Sequence, residues 1–327
     1  MNIDFIEATG IFTGKDTPFF GHLEEWSENK ATGRKTYIIQ GQRKLTFYYT
    51  PATGFLVMRG SIMYFWQGHN FTYDKKAFCN AIDYLGQLLH VNLWRMWLNI
   101  LEVGVIVEVE TKPRNYIKNH REGKGMLLYD NPKDKGQLRS FNDKLAERKL
   151  YDAGRNIKMK QGLTLQEVIQ NAGWNPQGNY LKWEVHYIKP EVSLNHGHGI
   201  LLCDLLNPAW EDVFKSDIYS QYKRIIPMKS IVYPSDKSDL HALDIFAIEL
   251  VEAKLNEGKT LQEVKTLLYD RINASAILSK ADKDARKRKV KATLEKLAES
   301  EESAWDISQK LKEALHIPDQ PSDLNPL

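Results

Sequence analysis

At 327 residues, 42% of them hydrophobic, the chain is long enough for one large domain or two smaller ones, and its composition excludes a disordered protein. A net charge of +3 falls short of the basic excess that by itself announces a nucleic-acid partner. The two cysteines, Cys79 and Cys203, lie far apart among apolar neighbours, which excludes a cysteine metal site and fits buried thiols in a reducing compartment. With no signal peptide and no apolar run of about 18 residues, a soluble, cytoplasmic protein with no membrane contact is expected.

After a polar N-terminal lead, Lys44 to Tyr49 and Gly54 to Trp66 are aromatic and β-branched, with Pro51 and Gly54 between them, so they predict a hairpin. A helix from about Tyr73 to His90 follows, with Asp74 as N-cap and Phe78, Ile82, Leu85, Leu88 and Leu89 at helical spacing. In NILEVGVIVEVE, Leu101, Val103, Val105 and Val107 alternate with Glu102, Gly104, Ile106 and Glu108. This predicts a strand whose valine face is core and whose other face is free to work.

A second unit repeats the plan. GMLLYDN and Leu145 to Asp152 read as strands, and Thr164 to Gln170 opens a helix with a Thr-x-x-Glu capping box. Tyr180 to Lys189 reads as a strand with Leu181, Trp183, Val185 and Tyr187 on one face and Lys182, Glu184 and His186 on the other. A helix from Ile200 to about Arg224, carrying Leu201, Leu205, Trp210 and Phe214, packs behind it. Beyond Pro227 the pattern turns helical and charged, over about Leu240 to Asn256, Leu261 to Asn273 and much of Ala281 to His316. TLQEV occurs at both Thr164 and Thr260, which reflects shared helix-start chemistry.

The expected fold is therefore α+β: two successive sheet-plus-helix units, about 40–110 and 120–226, forming a curved and mostly antiparallel surface. Residues 1–226 make one domain, and 227–327 a helical, charged C-terminal region.

The stretch RKLYDAG, with Tyr151 between cationic and acidic side chains, makes that tyrosine the candidate nucleophile. Glu184 is a lone carboxylate in an otherwise apolar strand, as a metal-assisted phosphoryl-transfer site requires. His186 shares its face and is a candidate third ligand. The pair in NHGHG, His196 and His198, is set among glycines and reads first as a turn. Lys280 to Lys291 sets seven basic residues against two acidic ones, Arg286, Lys287, Arg288 and Lys289 among them. That run follows a phosphate backbone or is a solvated helix supported by its own ion pairs. Tyr64, Trp66, Trp94 and Trp97 are candidates for base stacking or for core. Arg59, Arg148 and Lys182 are candidate DNA contacts.

The order GFLVMRGSIMYFW, NILEVGVIVEVE, RKLYDAG, YLKWEVHYIKP, GILLCDLLNPAW resembles the replication initiation proteins of rolling-circle plasmids and the related replication proteins of filamentous phages. It covers roughly Phe55 to Trp210. The resemblance implies metal-binding carboxylates at Glu102 and Glu184, a Mg²⁺ or Mn²⁺ cofactor, and a nucleophile at Tyr151 assisted by Lys149, which would lower the phenol pKa or brace the transition state. Two positions depart from it: the family's lysine two residues after the tyrosine is Ala153 here, and a polar residue on the first acidic strand is Ile106.

The implied function is a rolling-circle initiator that binds an origin as hairpin and single strand, nicks one strand and rejoins it. A host or element-encoded helicase is its expected partner, and a homodimer is compatible with it. The alternatives are a DNA-binding protein on the same scaffold without catalysis, and a non-enzymatic partner-binding protein.

Overall fold

Ten strands form one antiparallel sheet in the computed structural model, which describes residues 1–161, 174–175, 177–228, 242–296 and 305–318. The strands are β1 (Asn2–Ile11), β2 (Glu25–Asn29), β3 (Arg34–Gln40), β4 (Lys44–Thr50), β5 (Phe55–Gly60), β6 (Trp97–Val109), β7 (Leu127–Tyr129), β8 (Leu138–Asn142), β9 (Ala146–Asp152) and β10 (Asn179–Ile188). Their order across the sheet is β2-β3-β4-β5-β1-β6-β10-β9-β8-β7. Reading outward from the seam between β1 and β6, adding five to each strand number turns one half into the other. The sheet thus consists of two five-stranded halves.

Their boundaries differ from the expected ones. The first half starts at Asn2, inside the segment read as a polar lead, and Trp97–Val109 opens the second half where it was read as closing the first. The lead was misread because β1 buries a carboxylate, Asp4, beside Ile3, Ile6 and Ala8, and so breaks the apolar alternation. The strand expected to continue through Trp66 stops at Gly60, where the Ser61 hydroxyl accepts from the Tyr64 amide and starts helix α1 (Ile62–Gln67). Helix α2 (Lys75–Leu89) begins at the expected cap, with Asp74 accepting from the Lys76 amide at 2.9 Å.

On one face of the sheet, Leu101, Val103, Val105, Leu150, Leu181, Trp183, Val185 and Tyr187 are buried, as the alternation predicts. Further along the chain come helices α3 (Pro113–Asn119), α4 (Ala153–Gln161) and α5 (Pro208–Lys223). Helix α5 seals this core with Phe214, Ile218 and Tyr222. The Trp183 indole donates to the Ile218 carbonyl at 3.1 Å and meets the Tyr222 ring edge-on. The helix starts at Pro208 and not near Ile200, because proline fits the first helical position and Asn207 caps it by accepting from the Ala209 amide. The helix start expected at Thr164 lies outside the described residues.

The chain divides into two compact units. One comprises Met1–Lys118, Glu122–Ile225 and Ile307–Leu327, the other Asn119–Arg121 and Ile226–Asp306. The second contains α6 (Ala242–Asn256), α7 (Leu261–Ala274) and α8 (Lys280–Lys296), packed around Ile248, Val251, Leu255, Val264 and Leu294. Thr260 and Glu263 form the capping box read from the sequence.

Helix α9 (Ser308–Leu315) does not belong to a separate tail. It rejoins the first unit against α5 and β6, with Leu311 and Leu315 fully buried and the Ile307 amide donating to the Tyr222 hydroxyl. Leu311→Ala should therefore cost about 3 kcal/mol in urea unfolding, whereas Ile277→Ala, at a side chain 92% exposed, should leave the midpoint unchanged.

Candidate active site

Antiparallel register decides which side chains share the face opposite the Trp183 core. Glu184 lies opposite Gly104 on β6 and Lys149 on β9; His186 lies opposite Glu102, Tyr151 opposite Lys182, and Phe5 of β1 opposite Glu102. Directly opposed residues point to the same face. Phe5, Glu102, Lys149, Tyr151, Lys182, Glu184 and His186 therefore converge, although nearly the whole sheet-forming sequence separates the first from the last.

The Tyr151 hydroxyl donates to Glu184 Oε2 at 2.8 Å. Lys149 Nζ lies 3.0 Å from Glu102, 3.5 Å from Glu184 and 3.5 Å from Glu147. His186 Nδ1 lies 2.9 Å from Glu102 Oε2. The three residues expected to meet, Tyr151, Glu102 and Glu184, are brought together with both predicted helpers. They line a cleft of about 350 Å³ along with Asp4, Phe5, Asn70 and Arg155.

Sequence reading missed Asp4. Ile3 and Phe5 oppose Val103 and Glu102, so Asp4 is the extra residue of a β-bulge, a device that re-aims a side chain. One carboxylate oxygen accepts from Asn70 Nδ2 at 2.6 Å. The other lies 2.6 Å from Lys182 Nζ, off the angle of a hydrogen bond, so that neither atom has an aligned partner among the described residues. The signal was the one used for Glu184, a lone acid in an apolar β run. Gly104 makes room for this contact, since a Cβ there would meet Asp4 Oδ2 at 2.8 Å and the Trp183 carbonyl at 3.0 Å.

The electrostatics follow from burying three carboxylates against two ammonium groups. Burial, then the charges of Glu102 and Asp4, push the Glu184 carboxyl well above its ordinary range. Asp4 is raised too, chiefly by burial. Burial would also raise Glu102, but the hydrogen bond from His186 and the Lys149 charge outweigh it and hold that carboxyl far below the usual range. Burial and then Glu184 push the Tyr151 phenol up. The Lys149 ammonium, paired with Glu102, Glu184 and Glu147, does not offset this rise.

Among the described residues no three His, Cys, Asp or Glu side chains are arranged to hold a metal ion as they stand. Lys149 and Lys182 lie between the carboxylates instead. The donor set nevertheless fits a hard divalent cation: three carboxylates with a histidine beside them, and one buried carboxylate oxygen, Asp4 Oδ2, without an aligned hydrogen bond.

Other expected site residues lie elsewhere. Arg148 is buried on the opposite face, bound to Gln221, the Ala146 carbonyl and Asp143, so it cannot reach DNA. Lys182 belongs to the buried cluster and is not a surface phosphate contact. Arg59 stays on the site face, half-exposed, 3.2 Å from Glu7 and over the Phe5 ring. Arg286, Arg288 and Lys289 are exposed on α8, while Lys287 lies over the Tyr269 ring. His196 turns its Nδ1 to the His198 carbonyl and its ring to Trp210, in the loop setting the glycines predicted. Cys79 and Cys203 are free and half-buried. Ile106 and Ala153 pack into a small apolar cluster with Phe71, Ile157 and Tyr180 beside the cleft.

No protein-family model matches the chain, and no curated protein matches it. Among the described residues no helix is long and apolar enough to cross a membrane.

A carboxyl whose folded pKa lies above its unfolded one contributes stability that is complete below the unfolded value, about 4.5 for Glu184. That stability is lost as pH rises through the folded value. Glu184→Gln keeps the neutral form at every pH. With chelator present, it should melt above the wild type near neutral pH, by about 2–4 °C per kcal/mol recovered. The gain should vanish below about pH 4.5; thermal melts across that range check it.

Proposed function

We propose that this chain is a tyrosine-dependent DNA nicking and joining protein that starts rolling-circle replication. The observation that carries the reading is the 2.8 Å hydrogen bond from the Tyr151 phenol to Glu184 in a cleft that also holds Glu102 and Asp4. Nucleophile, proton acceptor and cation ligands are thereby within reach of one phosphate.

With Glu184 ionised, as a cation bound beside it would favour, Tyr151 Oη attacks the phosphorus and its proton passes to Glu184 Oε2. The bond from phosphorus to the 3′ oxygen breaks, and that oxygen leaves as a hydroxyl after taking a proton, for which the Lys149 ammonium is a donor in the same cleft. A phosphotyrosyl adduct and a free 3′-hydroxyl result, the hydroxyl able to prime synthesis and the reverse step able to rejoin the strand. Asp4, Glu102 and Glu184, with His186 adjacent, are the residues that would hold Mg²⁺ or Mn²⁺. When bound, such an ion supplies positive charge that favours the ionised phenol and offsets charge on the scissile phosphate.

A second reading, a DNA-binding protein without catalysis, is favoured by the burial that raises the phenol pKa and by the lysines that already neutralise the carboxylates. Incubation with supercoiled DNA carrying the sequence around the coding region and Mn²⁺ separates the two. Covalent protein on nicked DNA that disappears in Tyr151→Phe supports the enzyme, and retained but uncut DNA supports the binding protein.

The exposed basic side chains of α8 would add sequence-independent affinity for the DNA backbone. Replacing Arg286, Arg288 and Lys289 by alanine should flatten the slope of log K against log salt by about 0.9 for each duplex phosphate that is no longer neutralised. The adduct chemistry of the DNA that remains bound should be unchanged.

A further inference from the structure

We infer that Arg155 is the phosphate-gripping residue of the cleft and replaces the lysine that the resemblance places at Ala153; the inference rests on the nicking reading above. Position 153 cannot serve, because Ala153 is buried in the apolar cluster with Ile106, Ile157 and Tyr180. A lysine there would have to place its charge among those side chains, where nothing compensates its lost hydration.

Among the cations around the cleft, Lys149 pairs with three carboxylates and Lys182 with two. Arg155 differs from both. Its guanidinium donates through NH1 to the Asp134 backbone carbonyl at 3.0 Å, and no ion pair joins it to a carboxylate among the described residues. Asp152 feels its charge without closing on it, so that charge is only partly offset. The guanidinium therefore keeps N–H groups for the paired contact with phosphate oxygens that this planar group favours.

Its placement is fixed relative to the nucleophile. Arg155 lies in the first turn of α4, directly after the strand that carries Tyr151, and its own amide donates to Asp152 Oδ1 at 2.9 Å. It lines the same cleft as Tyr151 and Glu184. The phosphodiester of a single DNA strand is the chemistry that fits this cation, which meets the charge that develops on the non-bridging oxygens as Tyr151 attacks.

The test uses the full chain, Mn²⁺ and single-stranded oligonucleotides tiling the DNA that flanks the coding region. Adduct formation should slow roughly a hundredfold in Arg155→Gln and recover in part in Arg155→Lys. In a Tyr151→Phe background, where no adduct forms, Arg155→Gln should flatten the salt slope of strand binding by about 0.7, an effect that a purely structural role would not produce.

If Arg155→Gln fails to fold, Arg155→Lys decides: a slower rate at unchanged salt slope supports the inference, and a wild-type rate overturns it. Wild-type rate and slope in a folded Arg155→Gln overturn it as well. A wild-type protein that forms no adduct with any oligonucleotide removes the nicking reading itself, and this inference with it.

Discussion

Three carboxylates and two ammonium groups are withdrawn from water on one face of the central strands, and the architecture around them follows from keeping that arrangement intact. Isolated, any one of these charges would be too costly to bury. Together, the Asp4–Lys182 and Glu102–Lys149 pairs and the Tyr151 hydroxyl on Glu184 satisfy most of their valences. The bulge at Asp4 and the missing side chain at Gly104 serve the same end, since both admit Asp4 to a space that regular pleating would have filled. The cluster is balanced to within one charge, counting three acids against two lysines, and that remaining negative charge gives a cation or a proton a reason to enter.

Much of this was legible in the chain. Period-two alternation in NILEVGVIVEVE and YLKWEVHYI separated the Trp183 core face from the face of Glu102, Glu184 and His186 correctly, because neighbours on both sides of these central strands enforce the pleat. The convergence of Glu102, Tyr151, Glu184, Lys149 and His186 followed from matching an ordered set of segments, and antiparallel register then aligned them. Asp4 was lost because an ionised residue in a strand looks like a surface position when read singly. Arg148 and Lys182 were taken for DNA contacts on charge alone. Their fate depends on the side of the sheet and on a partner elsewhere in the chain, Asp143 for one and Asp4 for the other, which no local pattern reports.

Ile106 and Ala153 share one physical setting, the small apolar cluster with Phe71 and Tyr180. An apolar wall beside the cleft limits water near the Tyr151 phenol and strengthens every electrostatic interaction within it. The two residues therefore lower the dielectric beside the site together.

The symmetric strand order carries a consequence for how the molecule is made. Strand β1 precedes its partner across the seam, β6, by about a hundred residues; Asn2 pairs with Gly104. Loop closure over that distance is entropically slow. Lys182, the counter-charge of Asp4, arrives later still. Neither half of the sheet can assemble the cleft alone, so a chain lacking the second half would leave Asp4 open to water and without its counter-charge.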